Sequence, residues 1–436
     1  MSADSTNLDT WLERIERLHS RPIDLTLDRV RDVAQRLGLR AACPAFVIGG
    51  TNGKGSTCAM LDSILRAAGY RVGLYTSPHL LVFNERAQID GVRASDTALI
   101  EQFAAVEAAR GVTTLTYFEF TTLAILRLFQ SARLDALVLE IGLGGRLDAV
   151  NIIDADCSIL TSVDIDHTTY LGDTREEIGF EKAHIFRHNR PAICAEPRPP
   201  ATVFEVAEEL GADLWLAGRD FSYEGDRQQW SFRGRNARRA SLPYPALRGA
   251  NQLLNASSAL AALEALADRL PVSQQAVRQG LLTVEIPARF QVLPGRPTVV
   301  LDVAHNPHAA AVLAANLDNM GFFPATHAVF GMLNDKDVAG VVARVGTRVD
   351  RWHVGPTPGA RGADGAWLAG VVRTTLGGTQ EKAVNQHATL ADAYAAALGE
   401  ADVDDRIVVF GSFTTVAEVM RVRASGNDRA DRDSKL

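Results

Sequence analysis

Phe46-Val47-Ile48-Gly49-Gly50-Thr51-Asn52-Gly53-Lys54-Gly55-Ser56-Thr57 is the stretch that decides the fold. Phe46 to Ile48 has the composition of a buried strand. A glycine-rich turn follows, and the spacing of apolar residues predicts a helix over 57–68, ending near Gly69. Strand, glycine-rich turn with a lysine, and helix form a phosphate-binding arrangement. Glycines let backbone N–H groups close around phosphate oxygens, and a helix N-terminus adds partial positive charge. Lys54 would reach the β- and γ-phosphates, and the Ser56 or Thr57 hydroxyl could touch Mg²⁺. The strict pattern has Ser or Thr directly after the lysine, whereas here Gly55 intervenes. A glycine-rich turn can also be purely structural, but the lysine and hydroxyls favour the phosphate reading.

Working outward, Arg71 to Thr76 is a predicted strand ending in Ser77-Pro78-His79. In a parallel sheet the strand C-termini share one edge, where ligands bind. Ala136-Leu137-Val138-Leu139-Glu140 is an apolar strand closing on a carboxylate. An acid in that position of a nucleotide site faces Mg²⁺ directly or through water. A lone strand-end Glu is usually just solvated, but one following a phosphate loop is a functional candidate. Gly142 to Asp148 is a glycine-rich loop with a charged tip. Ser158 to Val163 is a further strand, followed by Asp164-Ile165-Asp166-His167, whose acids and His suit a metal or a reacting group. Glu181-Lys182 has the composition of a solvated charge pair on a short helix. Phe118 and Phe120, in a helix running from about Tyr117 to Arg133, have the character of core residues.

Other segments set the organisation. Residues 7–20 and 27–37 are short amphipathic helices. Residues 190–245 are looser, with a strand, a helix to Leu210, and polar segments around Trp215 and Trp230. Arg233, Arg235, Arg238 and Arg239 there are expected on a solvated surface. After two further helices, Glu285-Ile286-Pro287 breaks the pattern. Thr298 to Val303 then restarts a β-α alternation that runs through His327–Gly331 and Arg406–Gly411. This predicts two α/β domains: residues 1–288 with a mostly parallel sheet and the phosphate loop, and 289–424 with a smaller Rossmann-like sheet. Residues 425–436 are expected as a polar, disordered tail.

The 436 residues are enough for two or three domains, with 47% hydrophobic and 22% charged residues. A net charge of −7 gives no electrostatic case for nucleic acid or a membrane surface. Cys43, Cys58, Cys157 and Cys194 form no CxxC pair and no zinc spacing, which fits a reducing cytoplasm. No apolar run is long enough to span a bilayer and no signal core is present, so a cytoplasmic protein is expected; a monomer is the separate expectation for its assembly.

Several motifs resemble the bacterial bifunctional dihydrofolate synthase/folylpolyglutamate synthases, a branch of the Mur ligase superfamily. They are Gly50 to Ser56, Thr76-Ser77-Pro78-His79-Leu80, Glu140 to Asp148, and Asp166-His167. Ala288-Arg289-Phe290-Gln291, Asp302 to Pro307, Gly331 to Asp337 and Gly411-Ser412-Phe413 extend the likeness. The Gly55 insertion is what this family carries. His19 to Val30 is similar to its dihydropteroate loop. Ala288 and His184 stand where the family usually has Gly.

The resemblance implies an ATP-dependent amide ligase. ATP phosphorylates a carboxylate of dihydropteroate or of a reduced folate's terminal glutamate, and L-glutamate attacks the acyl phosphate. It implies that Thr51, Asn52, Gly53, Lys54, Gly55, Ser56, Asn255, Arg289 and Asp302 hold ATP. It makes Ser77, Glu140 and His167 metal ligands at two Mg²⁺ sites, with Lys182 joining them as a carbamate. The pterin side would comprise Asp24, Leu25, Thr26, Thr116, Tyr117, Phe118, Glu119, Leu147, Asp148 and Ala149. Lys54, His167 and Lys182 would be catalytic. One rival is a Mur-type cell-wall peptide ligase, which would want a further N-terminal domain. Another is a P-loop switch or motor, which leaves His167, Arg289 and Asp302 without a role.

Overall fold

The structure is a computed structural model, and it describes residues 7–225, 229–249, 251–377 and 383–433. The chain divides into two compact units: Met1–Ala246 with Gln252–Glu285, and Leu247–Asn251 with Ile286–Leu436. The division falls at Glu285, three residues before the expected boundary. Among the described residues no helix is long and apolar enough to cross a membrane.

The first unit opens with α1 (Leu8–Glu16) and α2 (Asp28–Arg36). Asn7 caps α1 by accepting from the N–H groups of Asp9 and Thr10, and Leu8, Trp11 and Ile15 form its buried face. Next come β1 (Ala45–Gly49), α3 (Lys54–Ala67), β2 (Val72–Tyr75), β3 (Ala87–Ile89) and β4 (Val92–Arg93). They are followed by α4 (Asp96–Arg110), α5 (Tyr117–Ser131), β5 (Ala136–Glu140) and β6 (Cys157–Leu160). Then α6 (Thr168–Leu171), α7 (Arg175–Ala183), β7 (Pro191–Cys194), α8 (Ala201–Leu210) and β8 (Asp213–Leu216) complete the main alternation. The sheet order is β4-β3-β2-β5-β1-β6-β7-β8. Strands β2 and β5 to β8 run parallel with β1, and β3 and β4 add an antiparallel edge. The C-terminal ends of β1, β2, β5 and β6 therefore lie together. Phe103 and Phe120 meet edge to face at 5.8 Å in the core beside this sheet; burying such a ring contributes about 1.5–3 kcal/mol.

Helix α3 begins at Lys54 rather than Thr57, because Gly53 takes a left-handed conformation (φ 88°) and turns the chain into the helix. The loose region holds a second sheet, β9 (Ser222–Gly225), β10 (Gln229–Arg233) and β11 (Arg238–Pro243), all antiparallel. Trp230 and Phe232 alternate with exposed neighbours along β10, and this alternation is the strand signal in that stretch. Arg235 is tied to Asp213 and Asp220 rather than simply solvated. Helices α9 (Gln252–Ala265) and α10 (Gln274–Thr283) close the unit and pack on α3.

The second unit contains β12 (Gln291–Leu293), β13 (Thr298–Leu301), α11 (Pro307–Asp318), β14 (Thr326–Phe330) and α12 (Val338–Val345). It continues with β15 (Arg351–Val354), α13 (Gly365–Leu376), β16 (Ala383–Gln386), α14 (Leu390–Glu400), β17 (Arg406–Phe410) and α15 (Phe413–Asp433). Its sheet order is β12-β13-β17-β14-β15-β16, parallel except for β12. Phe330 packs against Phe410 and Trp352 at 5.1 and 5.4 Å in its core. Helix α15 continues through Asp433, across most of the segment expected as a tail, and 434–436 lie outside the described residues. Polar composition rules out a core for that segment, but not the extension of a helix already nucleated.

Candidate active site

The phosphate loop is braced from behind. Gly50 has φ 144°, and a Cβ there would lie 2.0 Å from Thr161 Oγ1. Gly53 would place a Cβ 2.8 Å from Asn255 Oδ1, so α9 brings Asn255 directly to the loop. Thr161 Oγ1 lies 2.7 Å from the Asn52 carbonyl, and Asn52 N–H donates to Ser162 Oγ at 2.9 Å. Thr51 N–H donates to the Ser162 carbonyl, and its hydroxyl to that of Asp164. Thr161 and Ser162 are thus loop-shaping residues that the sequence reading did not single out; their signal was two hydroxyls at the end of a parallel strand. Lys54 Nζ donates to the carbonyls of Gly50 and Thr51, at 2.9 and 3.3 Å. No side chain caps α3, and the buried Thr57 hydroxyl in its first turn has no hydrogen-bond partner.

The strand ends carry the expected metal-side residues. β5 pairs with β1 so that Glu140 stands opposite Ile48, immediately before the loop. Glu140 is 3% exposed, and its Oε2 accepts from Ser77 N–H at 3.2 Å. Ser77 and Glu140 thus meet at one edge. His167 has φ 54°, unusual for a side-chain-bearing residue, and its N–H donates to Asp166 Oδ1. A hydroxyl, a carboxylate and an imidazole are donors that Mg²⁺ or Mn²⁺ accepts, so the chemistry of these residues fits such an ion.

Lys182 is not the solvated residue its composition suggests. It is 5% exposed on α7, and Glu181 pairs with Arg146 instead, at 2.8 Å. Burial, reinforced by the positive charge of Lys54, pushes the Lys182 pKa down to about 7, against the pull of Asp166 and Asp148. Asp148 is itself buried, which raises its carboxyl to about 6 despite three backbone N–H groups and Lys54. It accepts from Leu143 and Val150 N–H and so holds the glycine-rich loop closed.

Residues expected on the pterin side fall into two roles. Thr116 and Glu119 form a capping box at the start of α5. Arg29 donates to Asp24 Oδ2 at 2.8 Å and to Glu119 Oε1 at 3.0 Å, joining the early loop to α5. Arg29 was missed because its partner lies 90 positions away. Phe118 stacks with Tyr75 at 6.3 Å and closes on Gly142, where a Cβ would meet its ring at 2.4 Å. Tyr117 packs against Phe83, and the Arg86 guanidinium lies 5.5 Å from the Tyr117 ring. Thr26 N–H donates to the Asp24 carbonyl, and Leu25 lies between them in the same loop. Leu147 is half-buried and Ala149 buried on either side of Asp148.

In the second unit, Asp302 follows β13 and accepts from Phe290 and Ala304 N–H at 2.9 and 2.8 Å. Burial raises its carboxyl to about 6, and the Arg289 guanidinium opposes the rise. That guanidinium lies 5.1 Å from the Phe413 ring. Arg289, Asp302 and Phe413 therefore gather at the C-terminal edge of this sheet. Ala288 has φ 60°, the conformation for which Gly is suited. His184 has φ −68°, so nothing in the backbone there requires Gly.

The Mur ligase middle domain matches residues 48–263, and the Mur ligase glutamate ligase domain matches 288–413. The chain is 45% identical over 416 residues to the dihydrofolate synthase/folylpolyglutamate synthase of Escherichia coli strain K12, covering 95% of each. This chain belongs to the dihydrofolate synthase/folylpolyglutamate synthase family. Another family relative, from Haemophilus influenzae, is 40% identical over 95% of this chain and 97% of its own. Among solved structures, E. coli FolC in complex with DHPP and ADP superposes with a TM-score of 0.92 at 43% identity, covering 98% of this chain and all of that one. A bifunctional folylpolyglutamate synthase/dihydrofolate synthase with Mn, AMPPNP and L-glutamate bound gives 0.89 at 43% identity, covering 97% of this chain and 100% of that one. In this family setting, two α/β units with a phosphate loop in the first are the expected architecture.

Proposed function

We propose that this chain is an ATP-dependent ligase of the cytoplasm. It joins L-glutamate to dihydropteroate, giving dihydrofolate, and to the glutamate tail of reduced folates. The observation that carries the reading is 45% identity across 95% of both chains, which spans both units. A Mur-type cell-wall ligase shares the chemistry, but the relatives just described bear the folate activities in their names.

Phosphoryl transfer depends mainly on positioning and charge neutralisation. Gly50 to Ser56 would surround the phosphates with N–H groups, while Lys54 neutralises them and Asn255 holds the nucleotide beside Gly53. Mg²⁺, when bound, would supply charge neutralisation at the transferred phosphoryl group. Ser77, Glu140 and His167 would hold it. Arg289 and Asp302 would hold ATP. Asp24, Leu25 and Thr26, with Thr116 to Glu119 and Leu147 to Ala149, would line the pterin side, where Arg29 fixes the carboxylates. The acyl phosphate formed on the acid would then be attacked by the glutamate amine, giving an amide and inorganic phosphate.

Lys182 would act as its carbamate. An ammonium near a cation offers no lone pair, whereas a neutral amine adds CO₂, loses a proton and becomes an oxygen ligand. Its burial beside Lys54 favours the neutral amine that this addition requires.

ADP release by purified protein tests the proposal. It should require both glutamate and a pteroate-type acid, and both dihydropteroate and tetrahydrofolate should serve. ATP turnover indifferent to the acid would overturn it, and turnover with tetrahydrofolate alone would confine the chain to folate extension.

A further inference from the structure

We propose that the second unit carries a transition-metal site, suited to Zn²⁺, formed by His327, His353 and Glu400. His327 is the second residue of β14, and His353 the third of β15. The strand register pairs His327 with Arg351 and Val329 with His353, so both imidazoles stand on the same face of the sheet. Helix α14 packs on β14 and β15 and ends in Glu400. One ligand atom from each of the three residues lies within 4.8 Å of the others.

The spacing fits the metal. His327 Nδ1 and His353 Nε2 face each other at 3.3 Å. Two nitrogens bound at about 2.0–2.1 Å to a tetrahedral zinc are about 3.3–3.4 Å apart. Glu400 Oε2 stands 3.9 Å from His353 Nε2, so the carboxylate would close by about 0.5 Å to complete the set. The same oxygen receives Arg351 Nη1 at 3.2 Å, which holds it near this position.

The outer partners are also present. His327 Nε2 faces Asp405 Oδ2 at 3.5 Å, and His353 Nδ1 faces His387 Nε2 at 3.3 Å. With its proton on Nε2, on the side of Asp405, His327 leaves Nδ1 unprotonated and able to bind the metal. With its proton on Nδ1, on the side of His387, His353 likewise leaves Nε2 unprotonated. Carboxylate–histidine–metal relays of this kind orient ligating imidazoles. Metal-free, the chain of rings can instead share one hydrogen between His327 and His353. Binding then shifts tautomers at His353 and His387 and releases no proton.

His327 and His353 are 1% and 0% exposed, whereas Glu400 is 36% exposed at its side chain. The ion would therefore be held at depth by imidazole and reached from the Glu400 side, with a fourth position open to water. Two imidazoles favour Zn²⁺ over Mg²⁺, which separates this site from the set of Ser77, Glu140 and His167, where oxygen donors outnumber a single imidazole. Asp302 lies at a strand C-terminus, while Glu400 pairs with Arg351, the first residue of β15. The site therefore stands apart from the Asp302 and Arg289 edge.

Equilibrium dialysis of the full chain against Zn²⁺, with Mg²⁺ in large excess, tests this. The wild type should retain one zinc that His167→Ala also retains. Glu400→Ala, at a part-exposed position, should weaken that zinc at least tenfold while the circular dichroism spectrum stays unchanged. Zn²⁺ should raise the Tm of the wild type more than that of Glu400→Ala. Absence of a retained zinc, equal retention by Glu400→Ala, or loss of the zinc in His167→Ala would each overturn the proposal.

Discussion

Lys182 sits among groups whose charges conflict. Its pKa in the folded chain is about 7 against 10.5 ordinarily, with burial as the largest cause. Between those values the unfolded chain holds a proton that the folded chain lacks. Stability from this position therefore rises as pH climbs from 7 to 10.5, and the whole cost of the buried charge is present below 7. In CO₂-free buffer, Lys182→Met should accordingly be more stable than the wild type at pH 7, by about 1–4 kcal/mol. The gain should vanish near pH 10.5, as urea titrations at the two pH values would reveal. The same variant should lose most ligase activity, and Lys182→Ala should be partly rescued by short carboxylates. A Lys182→Met protein that is both less stable and fully active would contradict this account. The family resemblance singled out Lys182, but its burial was illegible from composition, since only the fold places Asp148, Asp166 and Lys54 around it. Ala288 is the opposite case, a backbone conformation visible once the position is known. Ala288→Gly should stabilise the chain by about 1 kcal/mol in thermal unfolding, through relief of the left-handed conformation.

At the scale of elements, the loop between β1 and α3 works because β6 supports it. Gly50→Ala would drive a Cβ to 2.0 Å from Thr161 Oγ1 at a φ of 144°. It should destabilise the chain by about 1–3 kcal/mol and weaken ATP binding at least tenfold by calorimetry. Unchanged ATP affinity would show that the loop's shape is not what holds phosphate. Lys54→Ala should leave the fold intact while lowering amide formation about 100- to 1000-fold. Strand β5 was legible to the residue, because an unbroken apolar run closing on Glu140 has one structural use. The start of α3 was not, since Gly53 and Gly55 carry little helix propensity and the turn's φ values decide where the helix begins. The β9–β11 sheet was missed although Trp230 and Phe232 alternate, because charged and polar neighbours masked the pattern. The Asp24–Arg29–Glu119 link could not be seen, as nothing local to Arg29 names a partner on α5.

At the scale of the molecule, each unit supplies part of the proposed chemistry. The first holds the phosphate loop with Ser77, Glu140, His167 and Lys182. The second holds Arg289 and Asp302, and Asp302 is tied to backbone N–H groups at a strand end. A chain ended at Glu285 should keep its own sheet but bind ATP at least tenfold more weakly and form no amide. Ligation at the full-length rate by that fragment would remove the second unit from the reaction. The two-unit plan was legible from the restart of β-α alternation near Thr298. The assignment of Leu247–Asn251 to the second unit was not, because a five-residue excursion leaves no compositional trace.

The central claim is that a carboxylate is phosphorylated and then captured by glutamate. Dihydropteroate labelled with oxygen-18 in its carboxylate, incubated with ATP, Mg²⁺ and L-glutamate, tests this directly by mass spectrometry of the released phosphate. One labelled oxygen should appear in each inorganic phosphate, in step with dihydrofolate formed. Dihydrofolate formed with unlabelled phosphate, or phosphate released without the amide, would contradict the account.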